Sequence, residues 1–224
     1  MQPEAEVDNG ATNVSAADAL QREMARRVLV RRLEREPRTV AALDAAYQED
    51  VIHAAAALFT LDPLRLVEER VVVQECAVPY QPGYFFSREA PALLAALSAL
   101  SAPPDLLLIE GHGIAHPRRC GIACHIGVTV GIPSIGCAKT RLVGTYVAPG
   151  PEKGDWSTLS DGEAVGAVVR TRSGVKPLFV SVGHLITLEE AVDLVLRCCG
   201  EYRIPGPLRA ADMAARKGVR ELLH

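Results

Sequence analysis

The chain reads as an α/β protein, a mixed β-sheet flanked by helices. Three observations carry this. Residues 105–110 (DLLLIE) and 134–138 (SIGCA) are short, nearly all-apolar strand segments; a Val71-Val72-Val73 run precedes them; and helix-forming stretches alternate with strands from there on. All-apolar strands belong in sheets buried on both faces, so helices must cover each side. At 224 residues, one domain holds all of it. That domain is expected over residues 17–224, with the polar, acidic residues 1–16 as a disordered tail.

Residues 17–36 are rich in helix formers and bring Leu20, Met24, Val28 and Leu29 to one face, which predicts an amphipathic first helix stopped by Pro37. Residues 39–47 (TVAALDAAY) are apolar apart from Asp44. Residues 51–61 are apolar and alanine-rich, so helix and strand compete there. Residues 67–76 read as a strand. A Pro/Gly/aromatic loop follows over 78–86, and Ser87 stands where an N-cap would, ahead of a helix over 88–100. Beyond the 105–110 strand come a helix at 123–130, the 134–138 strand, a strand pair at 165–171 and 177–182, and helices at 188–199 and 208–223.

Apolar residues make up 49% of the chain, enough for a substantial core, but aromatics only 4%, too few for an extended base-stacking platform. The formal net charge of -3 excludes a protein that binds nucleic acid by bulk positive charge. Nucleic acid would have to be held by a local patch and bound metal. With no membrane-length apolar run and no basic-then-apolar leader, the expectation is a cytoplasmic protein that does not enter a membrane. None of the six cysteines forms a C-x-x-C pair, so they read as reduced core residues rather than a zinc site, with Cys120 and Cys124 spaced for one helix face.

Asp44 and Glu110 each interrupt or end an apolar strand, where a buried carboxylate without a partner is costly. Were the two strands neighbours, both acids would meet at one sheet edge and could hold a hard divalent cation, with Glu89 as a third oxygen donor. The plainer reading makes Asp44 and Glu110 solvent-facing strand ends and Glu89 a residue that favours its helix N-terminus. Residues 110–123 (EGHGIAHPRRCGIA) pack glycines, histidines and arginines into one loop after a strand's carboxyl end, where α/β sheets bind ligands. Glycines there permit close backbone approach to a planar ligand. Lys139 ends the next strand and could neutralise a phosphate.

Read in order, several segments resemble the endonuclease V family from about residue 19 to 216: Pro79-Tyr80-Gln81-Pro82-Gly83 with Ser87-Arg88-Glu89, Gly113-Ile114-Ala115-His116-Pro117-Arg118-Arg119 with Gly121-Ile122-Ala123, Ala138-Lys139, and Arg203-Ile204-Pro205 with Arg209. The resemblance implies an RNase H-like fold and a Mg²⁺- or Mn²⁺-dependent endonuclease, a monomer, that cuts near deoxyinosine in DNA or inosine in RNA. It implies Asp44, Glu110, Glu89 and Asp212 as metal ligands, and Lys139 and His116 as catalytic or phosphate-contacting residues. It implies Pro79, Tyr80, Gln81 and Pro82 as a wedge filling the gap left by a flipped base. Gly83, Phe85, Gly111, Gly121 and Ile122 would line the pocket for that base. The family carries Asp where this chain has Glu110, one methylene longer. Two other readings stay open at this point, an enzyme for a small metabolite on the same scaffold and a non-catalytic binder of inosine-containing nucleic acid.

Overall fold

The computed structural model describes residues 9–76 and 85–221. Its eight strands form one mixed sheet in the order β3-β2-β1-β4-β5-β8-β7-β6. These are β1 (Thr39–Gln48), β2 (Val51–Leu61), β3 (Leu64–Glu75), β4 (Leu106–Glu110), β5 (Ser134–Ala138), β6 (Trp156–Ser160), β7 (Ala164–Val169) and β8 (Leu178–His184). The helices are α1 (Asn9–Arg27), α2 (Phe85–Ser98), α3 (Ile122–Val130), α4 (Leu188–Cys199) and α5 (Gly206–Glu221). The three central strands β1, β4 and β5 run parallel, and antiparallel ribbons extend the sheet on either side.

Side chains alternate across each strand, so β1 feeds two cores. Val40 and Ala42 join Leu106, Leu108 and Val180 under α4 and α5. Ala41 and Leu43 join Leu107, Ile109 and Leu93 under α2 and α3. Residues 51–61, ambiguous alone, are a strand because both neighbours bond to them in ladder register. Their alanines let α5 and α2 approach the sheet closely from its two faces.

Several expected boundaries move. The first helix spans Asn9–Arg27, not 17–36. Residues 9–16, read as tail, are helical. Past Arg27 the backbone is captured by other elements: the Leu29 N–H donates to His184 Nδ1 at 3.2 Å, and the Leu33 N–H to the Glu190 carboxylate at 3.2 Å. Ser87 lies inside α2 rather than capping it. Cys120 precedes α3 instead of sharing it with Cys124, yet both are buried with Met24 and Val128. β6 escaped notice because its one buried residue, Leu159, leaves too little apolar signal. Among the described residues, no helix is long and apolar enough to cross a membrane.

Candidate active site

Parallel pairing of β1 and β4 sets Leu43 beside Ile109, so the next residues, Asp44 and Glu110, come together at the carboxyl ends of the strands. Both lie on the face covered by α5, which supplies Asp212. Lys139, just past β5, reaches back to Glu110, Nζ to Oε1 2.9 Å. These four side chains line one cleft with Cys137, Leu178, Ile204, Leu208 and Arg209. Its interior volume is about 70 Å³, room for a few waters or a small ion. Glu89 comes from α2, is buried, and accepts a 2.8 Å hydrogen bond from the Tyr47 hydroxyl. The Arg88 guanidinium lies 4.5 Å over the Tyr47 ring.

Crowded carboxylates in a poorly solvated place resist ionisation. Burial first, then repulsion from Glu110, pushes Asp44 up to about 7, against the Ala45 N–H and the Lys139 charge. Burial raises Glu89 to about 8; the Tyr47 hydrogen bond opposes this, while Asp44 and Glu110 add to it. Burial acts to lower the Lys139 ammonium, but the hydrogen bond and charge of Glu110 outweigh it and hold the group above its ordinary value. Arg216 Nε donates to Asp212 at 2.7 Å. The site therefore carries internal counter-charges, Lys139 on Glu110 and Arg216 on Asp212. No trio of His, Cys, Asp or Glu among the described residues forms a ready-made ion cage. Glu110 is turned to Lys139 and Glu89 to Tyr47.

The remaining sequence candidates divide. Gly111 is packed against Ile122 and Gly121 against the His112 backbone: a β-carbon on Gly111 would meet Ile122 Cγ2 at 2.7 Å, and one on Gly121 would meet the His112 carbonyl oxygen at 2.1 Å. Close approach to a ligand was the expected use of the loop's glycines, but at Gly121 and Gly113 the approach is to the chain's own backbone. His116 is buried in the turn after β4, its Nδ1 accepting the Arg118 N–H at 3.2 Å, and it does not line the cleft. His112 is also off the cleft lining, and burial depresses it to about 4, so it is neutral near pH 7. Phe85 opens α2, and Pro79, Tyr80, Gln81, Pro82 and Gly83 lie outside the described residues.

Three neighbours were given no role of their own by the sequence. Tyr47 was read only as part of an apolar stretch. Arg209 stacks 3.5 Å over the Tyr202 ring at the cleft wall. Arg203 donates to the carbonyls of Lys139 at 3.0 Å and Pro177 at 2.8 Å, fixing the backbone from which Lys139 springs. The order of the Arg203-Ile204-Pro205 and Arg209 motif was visible; its contacts with β5 were not.

A mixed sheet with helices on both faces, and acids gathered at the ends of its central parallel strands, defines an RNase H-like protein of the nuclease class. A family model described as Endonuclease V matches residues 22–213. The chain belongs to the endonuclease V family and is an endonuclease. The endonuclease V of Geotalea uraniireducens (strain Rf4) is 52% identical over 204 residues, 91% of this chain and 87% of that protein. The crystal structure of endonuclease V from Streptomyces avermitilis matches with a TM-score of 0.89 at 41% identity, over 94% of each chain. Ciona intestinalis endonuclease V, in complex with a 24mer DNA containing an inosine followed by a ribo-adenosine, shares the fold with a TM-score of 0.83 at 24% identity, over 94% of this chain and 99% of that one.

Proposed function

We propose that this endonuclease hydrolyses a phosphodiester near deoxyinosine in DNA, with a divalent cation, Mg²⁺ or Mn²⁺, held by Asp44 and Glu110 and supported by Glu89 and Asp212. The observation that carries the reading is the meeting of Asp44 from β1, Glu110 from β4 and Asp212 from α5 at one cleft, with Glu89 of α2 near enough to repel Asp44 and Glu110; burial and repulsion raise the pKa values of Asp44 and Glu89. Such a site stores unfavourable charge that a cation relieves, and its donors are the hard oxygens that Mg²⁺ and Mn²⁺ take. When bound, the ion would activate a water and offset charge on the phosphate.

The chain's own groups do the rest. Asp44 and Glu110 give the ion its place. The half-exposed Lys139 leaves Glu110 for a phosphate oxygen as substrate enters, and Arg203 keeps its backbone still. Tyr47 fixes the Glu89 carboxylate through its hydrogen bond. The inosine-containing DNA in the Ciona complex supports deaminated adenine as the recognised base, and the family resemblance assigns its reading to Gly111, Gly121 and Ile122 with the 79–83 segment. RNA containing inosine is the related substrate. We place the protein in the cytoplasm, acting as a monomer.

The test is cleavage of matched oligonucleotides, with deoxyinosine, inosine or adenine at one position, in Mg²⁺ or Mn²⁺. Selective cutting next to the deoxyinosine is expected. Equal cutting of the adenine control, or cutting that persists in chelator, sinks the reading. Tyr47→Phe is expected to lower the cleavage rate about tenfold, the value of a hydrogen bond to a charged group. Its melting temperature should change little, and an unchanged rate would remove Tyr47 from the site.

A further inference from the structure

The acidic chain hides a basic strap. Residues 22–38 hold seven arginines and three glutamates, a net of +4 in a protein of formal charge -3. All seven arginine side chains are exposed. The strap runs from the last turns of α1 to β1, and beyond Arg27 its path is held by other elements: the Leu185 N–H donates to the Leu29 carbonyl at 2.7 Å, and the Leu29 and Leu33 N–H groups are taken by His184 and Glu190. Its glutamates are largely committed, Glu34 to Arg31 at 2.8 Å and Glu36 to Arg197. Arg26, Arg32 and Arg38 have no carboxylate within ion-pair reach among the described residues, against a single uncommitted acid, Glu23. Arg31, Arg32 and Arg35 also line a hollow of about 360 Å³ with Pro104, Asp105 and Pro133.

That hollow sits at the amino ends of β4 and β5, whereas Asp44, Glu110 and Lys139 sit at the carboxyl ends of the same parallel strands. From Thr39 to Asp44 the strand covers about 17 Å, at roughly 3.3 Å per residue. Nothing in the cleft chemistry uses this edge. Unpaired guanidiniums spread along a fixed strap suit a repeating anion better than a single phosphate, since each can take a different phosphate in bidentate fashion. An endonuclease meets such a polymer in its substrate.

We propose that the strap is a second, sequence-independent docking surface for the phosphodiester backbone, engaged by nucleic acid flanking the segment in the cleft. One strand advances about 3.4 Å per nucleotide, so a substrate must run well beyond about five nucleotides from the cleft before it reaches the strap. Short substrates do not feel the strap; long ones do.

The experiment uses the full chain carrying Arg26→Glu and Arg32→Glu, with inosine-free duplexes in EDTA at several salt concentrations. A second double variant, Arg65→Glu with Arg172→Glu, makes the same change in net charge at exposed positions elsewhere. A duplex of about 40 base pairs should bind the strap variant about tenfold or more weakly at low salt, and the slope of log affinity against log salt should fall by about 2. The melting temperature should stay as in the parent protein. Unchanged long-duplex binding overturns the proposal and leaves an acidic protein as the strap's partner. Equal losses in the control variant overturn it as well, because the effect would then be one of general field. The probe contains neither inosine nor metal, so failure of the deoxyinosine reading would leave this result standing.

Discussion

Asp44→Asn is expected to abolish cleavage while making the metal-free protein harder to melt. The first half follows from the place of Asp44 between Glu110, Lys139 and Asp212 at the centre of the cleft. Loss of its charge should cost the cleavage rate on the order of 10²–10³-fold or more. The second half follows from its pKa of about 7, against 3.8 for the unperturbed group. A carboxyl whose pKa is raised on folding favours the protonated native state. Its contribution to stability is intact below about pH 4 and disappears as pH rises through about 7. Asparagine is neutral throughout and never incurs that loss. The difference should reach about 2–4 kcal/mol at pH 8, roughly 5–10 °C in a protein of this size, and vanish near pH 4. Added Mn²⁺ should raise the parent's melting temperature by mass action and leave the variant's unmoved. Thermal melts at pH 4 and pH 8, each with EDTA or Mn²⁺, decide it. A variant less stable than its parent at pH 8 in EDTA would show that Asp44 is not held under electrostatic strain.

Gly113→Ala carries the largest expected loss of stability. Its new β-carbon would fall 2.0 Å from the Val182 carbonyl oxygen and 2.5 Å from its carbon, both backbone atoms of β8. The loop cannot retreat easily. The Gly113 N–H donates to Ser181 Oγ at 2.8 Å, its carbonyl accepts the Gly121 N–H at 3.0 Å, and Ile114 bonds to Val182 at 2.8 Å. Displacing backbone here should cost about 3 kcal/mol or more and weaken cleavage, because Glu110 lies three residues upstream. Gly131→Ala is the comparison. Its β-carbon would meet no neighbour, and only the left-handed backbone at φ 68° resists it, a cost of about 1–2 kcal/mol. Urea titrations of both variants check the ranking. If the two lost equal stability, the clamp between this loop and β8 would count for nothing.

Much of the architecture could be read from local pattern, because buried parallel strands such as Leu106–Glu110 and Ser134–Ala138 announce themselves by unbroken apolar runs. The sequence also showed which acids interrupt those runs. Long-range competition was invisible. Residues 28–36 continue a helical pattern, but His184, Leu185 and Glu190, some 155 residues away, take their backbone groups. Gly113 and Gly121 look like ligand-approach glycines until Val182 and His112 are seen against them. Tyr47 became a site residue only when α2 was laid over β1, bringing its hydroxyl to Glu89. Arg203 acquired a task only when the segment after α4 was found beside β5.

The wide separation of Asp44 and Asp212 along the chain also times the enzyme's birth. Translation delivers β1 early and α5 last among the described elements. At about 5–20 residues per second, that interval is on the order of ten to thirty seconds. Through that interval the nascent chain owns a partial acid cluster without the helix that roofs it, so the cleft is completed only when the last helix arrives.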